Sequence, residues 1–138
     1  MGKKKVREAM SRDPRSVGER TSVQEAARLM KEQDVGSLPV VEDERLVGII
    51  TDRDIVIRGV AVRSDVSSLS VMDVASHEVT TIAPDQELDE ALRLMAQEQV
   101  RRLPVVDGDR LVGILAQADV AREGDEERVG ETVEQISQ

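Results

Sequence analysis

The sequence contains no cysteine, phenylalanine, tyrosine or tryptophan, and only one histidine, His77, among its 138 residues. Without cysteine neither a disulfide framework nor thiolate metal ligands can form, and a single histidine cannot build a histidine cluster. No metal site is therefore expected. Without aromatic rings there is no stacking platform, so a flat ligand would have to be held between aliphatic side chains. No apolar run approaches the roughly eighteen residues that a membrane span needs, and Lys3-Lys4-Lys5 lacks the apolar stretch of a secretory signal. A cytoplasmic location and no membrane partner are expected. A formal net charge of -9 opposes the phosphate backbone of nucleic acids, so no nucleic-acid partner is expected either. What remains, 39% apolar residues among mixed charges, is the composition of a globular chain: one ordinary domain or two small units sharing a core.

The chain repeats itself. Shifting it by 65 positions lays Leu38-Pro39-Val40-Val41 on Leu103-Pro104-Val105-Val106 and Arg45-Leu46-Val47-Gly48-Ile49 on Arg110-Leu111-Val112-Gly113-Ile114, with no gap. The same shift pairs Glu25-Ala26 with Glu90-Ala91, Arg28-Leu29-Met30 with Arg93-Leu94-Met95, Val35 with Val100 and Asp54 with Asp119. The copies span residues 6–60 and 71–124. Residues 61–70, rich in Ser and Asp and without periodicity, read as a linker. The acidic tail, residues 125–138, carries Val129, Val133 and Ile136 at helical spacing and predicts a short helix.

Within each copy the hydrophobic period changes in a fixed order. Val23, Ala26, Ala27 and Met30 fall at i, i+3, i+4 and i+7, and Leu88, Ala91, Leu92 and Met95 repeat that stripe, so both segments predict amphipathic helices. Ser22 with Glu25 predicts a capping box at the first start. Two apolar runs follow, split by Glu42-Asp43-Glu44 in one copy and by Asp107-Gly108-Asp109 in the other, which is a hairpin pattern. A short strand is expected before each helix, at Ser16-Val17 and Thr81-Ile82, and a second helix after Thr51 and after Ala116. The order is strand, helix, strand, strand, helix. This makes an α+β, mixed α/β protein of two βαββα motifs. A unit of this size leaves about 40% of its unfolded-chain surface exposed and is marginal alone, which favours packing the two together.

The element order, the Leu-Pro-Val-Val strand and the run Gly48-Ile49-Ile50-Thr51-Asp52-Arg53-Asp54 resemble a tandem CBS-domain pair, the cystathionine beta-synthase motif pair or Bateman module, of the stand-alone bacterial or archaeal type. The resemblance covers about 108 of the residues. It implies a pseudo-twofold pair with a cleft offering up to two sites for an adenosine-containing ligand such as AMP, ADP, ATP, NAD or S-adenosylmethionine. It also implies a homodimer of pairs. No cofactor in the catalytic sense is implied.

The resemblance further implies that the acidic residue at Asp54 accepts hydrogen bonds from ribose hydroxyls and that the hydroxyl at Thr51 contacts ribose or phosphate. A carboxylate suits a diol because it accepts two bonds at once, and charged acceptors make the stronger ones. A plainer reading is that Thr51-Asp52-Arg53-Asp54 only caps a helix. In the second copy Ala116 removes the capping hydroxyl while Asp119 stays, and threonine capping does not account for that aspartate. An aspartate there also gains from the helix dipole, which leaves a structural role open. Loss of the hydroxyl at Ala116 leads to the expectation that the Thr51 and Asp54 pocket binds better, or alone.

Arg101-Arg102 stand where the first copy has Gly36-Ser37. The family places basic residues there against phosphates, a task that suits the planar guanidinium fork of Arg102, although a solvated arginine at a strand start is the alternative. Arg12 and Arg15 are weaker candidates for the same role. Ser16, Val17, Thr81 and Ile82 sit where the family presents main-chain groups to adenine. Leu38, Pro39, Leu103 and Pro104, with Val35 and Val100, are candidate walls for the base, or ordinary core. Met30, Met72 and Met95 are expected to fill the core. His77 is assigned no role.

Catalysis is not expected: there is no cysteine, no histidine pair and no Gly-rich phosphate loop. Two classes of function follow. One is an adenine-nucleotide sensor that signals through its dimer to an unknown effector protein. The other is a ligand-free structural or protein-interaction module.

Overall fold

The computed structural model describes residues 4–63 and 65–123. The helix expected in 125–138 lies outside the described residues. The elements are α1 (Val6–Ala9), β1 (Ser11–Arg12), β2 (Val17–Gly18), α2 (Val23–Gln33), β3 (Ser37–Glu42), β4 (Arg45–Thr51) and α3 (Asp52–Asp54), which runs on into a π-helical stretch, Ile55–Val60. A 3₁₀ turn, Val71–Asp73, then leads to α4 (Leu88–Glu98), β5 (Arg102–Asp107) and β6 (Arg110–Ala116). Residues 117–123 are helical. The protein is thus mixed α/β; the expected order holds in the first copy, whereas in the second the strand expected at Thr81-Ile82 is reduced to a single bridge from Ile82 to Val105.

The repeat is obeyed in three dimensions. β3 and β5 bury the same three successive positions, and β4 and β6 have the same burial sequence, residue for residue. α2 and α4 both end on a non-glycine residue in the left-handed conformation, Asp34 at φ 54° and Gln99 at φ 57°. The main-chain N–H of the next residue reaches back to a methionine carbonyl, Val35 to Met30 and Val100 to Met95, each at 3.0 Å. These bonds supply partners for carbonyls that a helix end otherwise leaves open.

Two expectations about the helices are corrected. Ser22 Oγ accepts the Glu25 N–H at 3.1 Å, but the Glu25 carboxylate turns to Arg28 at 2.6 Å, so only half of the capping box forms. Ala27 is exposed and Leu92 is 44% exposed, so these members of the expected stripe face outward. Leu29 and Leu94 pack against the cores in their stead, because each helix is covered on one side only and its buried stripe is drawn to that side.

The two compact units do not follow the copy boundaries. Among the described residues, one unit comprises those of 15–79 with 109–111, and the other comprises 4–14, 80–108 and 112–123. In the first, β2 runs parallel to β3 through Val17–Val40 and Gly18–Val41, and β3 pairs antiparallel with β4. Its core joins Val17, Val23, Ala26, Met30, Leu38, Val40 and Ile50 to Leu69, Val71, Val74 and Ala75, which come from beyond the first copy. Leu69 is buried although it lies in the stretch expected to be linker. In the second unit the core joins Ile82, Leu88, Ala91, Met95, Leu103, Val105, Leu115 and Val120 to Val6, which opens the first copy.

The exchange is reciprocal and is written in backbone hydrogen bonds. Val71 N–H donates to Thr21 O and Val6 N–H donates to Gln86 O, both at 2.8 Å; these are equivalent bonds under the repeat. Likewise Val23 N–H donates to Leu69 O at 2.9 Å, and Leu88 N–H to Lys4 O at 3.0 Å. Ser76 exchanges a pair of bonds with Ile49, and β1 pairs with β6 through Ser11–Ile114. Glycine is required where these segments cross. A Cβ on Gly48 would lie 2.9 Å from Ser76 O, and one on Gly113 would lie 2.9 Å from Ser11 O and 2.7 Å from the Met10 sulfur.

The exchange predicts which fragments fold. A fragment of residues 15–79 should show a cooperative thermal transition followed by circular dichroism. A fragment cut at the sequence repeat, residues 6–60, lacks Leu69, Val71, Val74 and Ala75 and should show none.

Candidate functional site

The residues singled out from the sequence gather at the same place in each unit, where the first strand of the hairpin begins and the second ends. In one unit Ser37 is the register partner of Thr51, and Asp52 N–H donates to Gly36 O at 2.9 Å. Thr51 is in extended conformation and closes a reciprocal cap: Asp54 N–H donates to Thr51 Oγ1 at 3.0 Å and Thr51 N–H donates to Asp54 Oδ2 at 3.1 Å. Both donors would otherwise be open at a helix start. Asp54 Oδ1 accepts no hydrogen bond from any described residue. Asp54 is half-buried, and this oxygen is a free acceptor beside the cap. Asp52 Oδ1 accepts the Arg53 N–H at 2.8 Å, and its Oδ2 lies 3.2 Å from where a Cβ on Gly36 would stand.

In the other unit the frame is equivalent and the chemistry differs. Gln117 N–H donates to Arg101 O at 2.7 Å, and Ala116 N–H donates to Asp119 Oδ2 at 3.2 Å. Asp119 therefore caps the helix without a hydroxyl, a form of the structural role that the sequence left open. Its Oδ1 is held by the Arg122 guanidinium, a residue three positions on. The position matching Arg122 in the first copy is Ile57, so Asp54 has no such partner. Arg102 is half-buried and Arg101 exposed, and neither forms an ion pair among the described residues.

The remaining candidates divide. Ser16 and Thr81 are half-buried beside Val17 and Ile82, whose side chains are buried in the cores. The main chain of Ile82 is engaged with β5, its N–H on Pro104 O at 3.1 Å and its carbonyl accepting the Val106 N–H at 2.9 Å. Leu38 and Leu103, candidate walls for a base or ordinary core, are 1% and 0% exposed, and Pro39 and Pro104 are buried beside them. Their side chains are committed to the cores, because β3 and β5 are covered on both faces. Val35 is half-buried and Val100 exposed. Met30 and Met95 are buried and Met72 packs against the first core, as expected. Sequence reasoning missed Arg122 and Asp52. The i, i+3 spacing of Asp119 and Arg122 was the available signal for the first.

The class of protein follows from this frame: a repeated mixed α/β motif with an aspartate at the start of each second helix. The chain belongs to the CBS-domain family, whose model matches residues 6–60 and 71–126. It is 44% identical over 116 residues to the CBS domain-containing protein YhcV of Bacillus subtilis, covering 84% of this chain and 82% of that one. Among solved structures it is similar to CBSX2 in complex with AMP, at 30% identity and a TM-score of 0.80, covering 90% of this chain and 98% of that one. It is similar also to a CBS domain pair in complex with 5′-methylthioadenosine and S-adenosyl-L-methionine, at 26% identity and a TM-score of 0.77, covering 91% and 99%. A CBS pair of this kind is a regulatory ligand-binding module.

The Thr51 cap has a measurable share in stability. Thr51→Ala removes the acceptor of the Asp54 N–H and should cost about 1 kcal/mol of unfolding free energy, whereas Thr51→Ser keeps the acceptor and should cost less than half of that. Urea denaturation of the three proteins compares them directly.

Proposed function

We propose that the protein senses an adenosine-containing ligand of the AMP, ADP and ATP class, with ribose hydroxyls on Asp54 and Asp119 and phosphate on Thr51 and Arg102. The observation that carries this reading is the open Oδ1 of Asp54, a charged acceptor held at a fixed place by the cap that engages the other oxygen. A ribose diol offers two donors to such a group. The complexes of the two similar pairs with AMP and with adenosine thioether and sulfonium compounds support the choice of ligand class. Of the two aspartates, Asp54 holds the ribose more firmly, because Arg122 competes for Asp119. The protein regulates and does not catalyse, and its place is the cytoplasm; among the described residues no helix is long and apolar enough to cross a membrane.

A thermal-shift panel of AMP, ADP, ATP, NAD and S-adenosylmethionine tests this reading. A ligand at 100 times its Kd should raise the unfolding free energy by about 2.7 kcal/mol. Replacing Asp54 and Asp119 together by alanine should abolish the shift. A panel without any shift at millimolar concentration would return the protein to the ligand-free interaction class.

Signalling runs through a homodimer to an effector protein. Among the described residues six large apolar side chains are exposed, and four of them, Val56, Ile57, Val60 and Val62, lie within seven positions that start just after Asp54. Concentrated exposure of this kind marks an interaction surface, and its place beside Asp54 links ligand to partner. Val56→Asp with Val60→Asp should convert a dimer to a monomer in light scattering while leaving the circular dichroism spectrum unchanged.

A further inference from the structure

We propose that the two sites take different classes of adenosine compound: the Thr51–Asp54 site one whose 5′ substituent is uncharged or cationic, and the Arg102–Asp119 site one bearing a 5′-phosphate. The inference rests on the sensing reading above and narrows it: phosphate goes to Arg102 alone, and Thr51 keeps only its contact with the ribose. Around the first site stand two carboxylates and one guanidinium, Asp52, Asp54 and Arg53, for a net charge of -1. Around the second stand three guanidiniums and one carboxylate, Arg101, Arg102, Arg122 and Asp119, for a net charge of +2. Arg15 precedes the first site and Arg12 belongs to the unit of the second, so one further cation on each side leaves the difference of three charges unchanged.

The difference is built into equivalent positions of one frame. The main-chain bond from Asp52 to Gly36 in one unit is the bond from Gln117 to Arg101 in the other. Asp52 Oδ2 stands 3.2 Å from the place of a Gly36 Cβ, so a carboxylate occupies the direction in which the other copy starts an arginine side chain. A phosphate dianion brought to the Thr51 hydroxyl would face the exposed Asp52, and like charges at close range repel. A neutral thioether meets no such penalty, and a sulfonium cation is attracted. In the other unit Gln117 removes the repelling charge and Arg102 adds a fork suited to phosphate oxygens. Asp54, with its free Oδ1, compensates through the ribose for what its site lacks toward phosphate.

Titration calorimetry with AMP and with 5′-methylthioadenosine tests the division on the full chain. AMP-saturated protein should still bind one equivalent of 5′-methylthioadenosine per chain. Arg102→Ala should weaken AMP at least tenfold and the thioether less than twofold, and Asp54→Ala should do the reverse. Asp52→Asn keeps the oxygen that accepts the Arg53 N–H and removes the charge. It should strengthen AMP binding at the Thr51–Asp54 site several-fold, a gain that misfolding cannot imitate. Competition between the two compounds for a single Asp54-dependent site would overturn the division while the sensing reading stood. Absence of binding by both would overturn the two together.

Discussion

Two backbone hydrogen bonds, Val6 to Gln86 and Val71 to Thr21, decide how this chain is partitioned. Each carries the opening residue of one repeat copy into the compact unit built mainly by the other. The valines they anchor are fully buried, one in each core. A buried N–H must find an acceptor, and a buried valine contributes about 1.5–3 kcal/mol of transfer free energy, so these segments are structural members and not connectors. The absence of side chains on Gly48 and Gly113 follows from the same constraint, since the exchanged segments pass within contact distance of the strand backbone.

That frame fixes the sites. Because the hairpins of the two copies share their burial pattern and the copies align without a gap, Thr51 matches Ala116, Gly36 matches Arg101, Asp52 matches Gln117, and Ile57 matches Arg122 in the repeat. Their differences are therefore differences of chemistry on a common scaffold. One site offers an open carboxylate oxygen beside a second carboxylate, and the other offers arginines and a carboxylate already neutralised in part. A pair of sites with unequal charge in one chain can answer to two related compounds separately, which is a property a regulatory module can use.

Much of this was legible in the sequence. The repeat, the strand and helix order, the hairpin turns and the roles of Thr51 and Asp54 at a helix start could all be read from spacing, because they depend on local periodicity and capping chemistry. Other features could not. The outward turn of Leu92 and the π-helical stretch after Asp54 depend on which face each element turns to its neighbours. The half-formed capping box at Ser22 failed for a similar reason: Glu25 had a competing partner one turn away in Arg28.

The sequence by itself determined the family, the doubled motif and the identity of the residues that differ between the copies, since these are properties of order along the chain. Only the tertiary structure decided that the folded units exchange their opening segments and that Asp54 keeps a free oxygen where Asp119 does not. The physical reason is that hydrogen bonds and ion pairs between residues far apart, or competing within one turn, are settled by packing and geometry, which no spacing rule encodes.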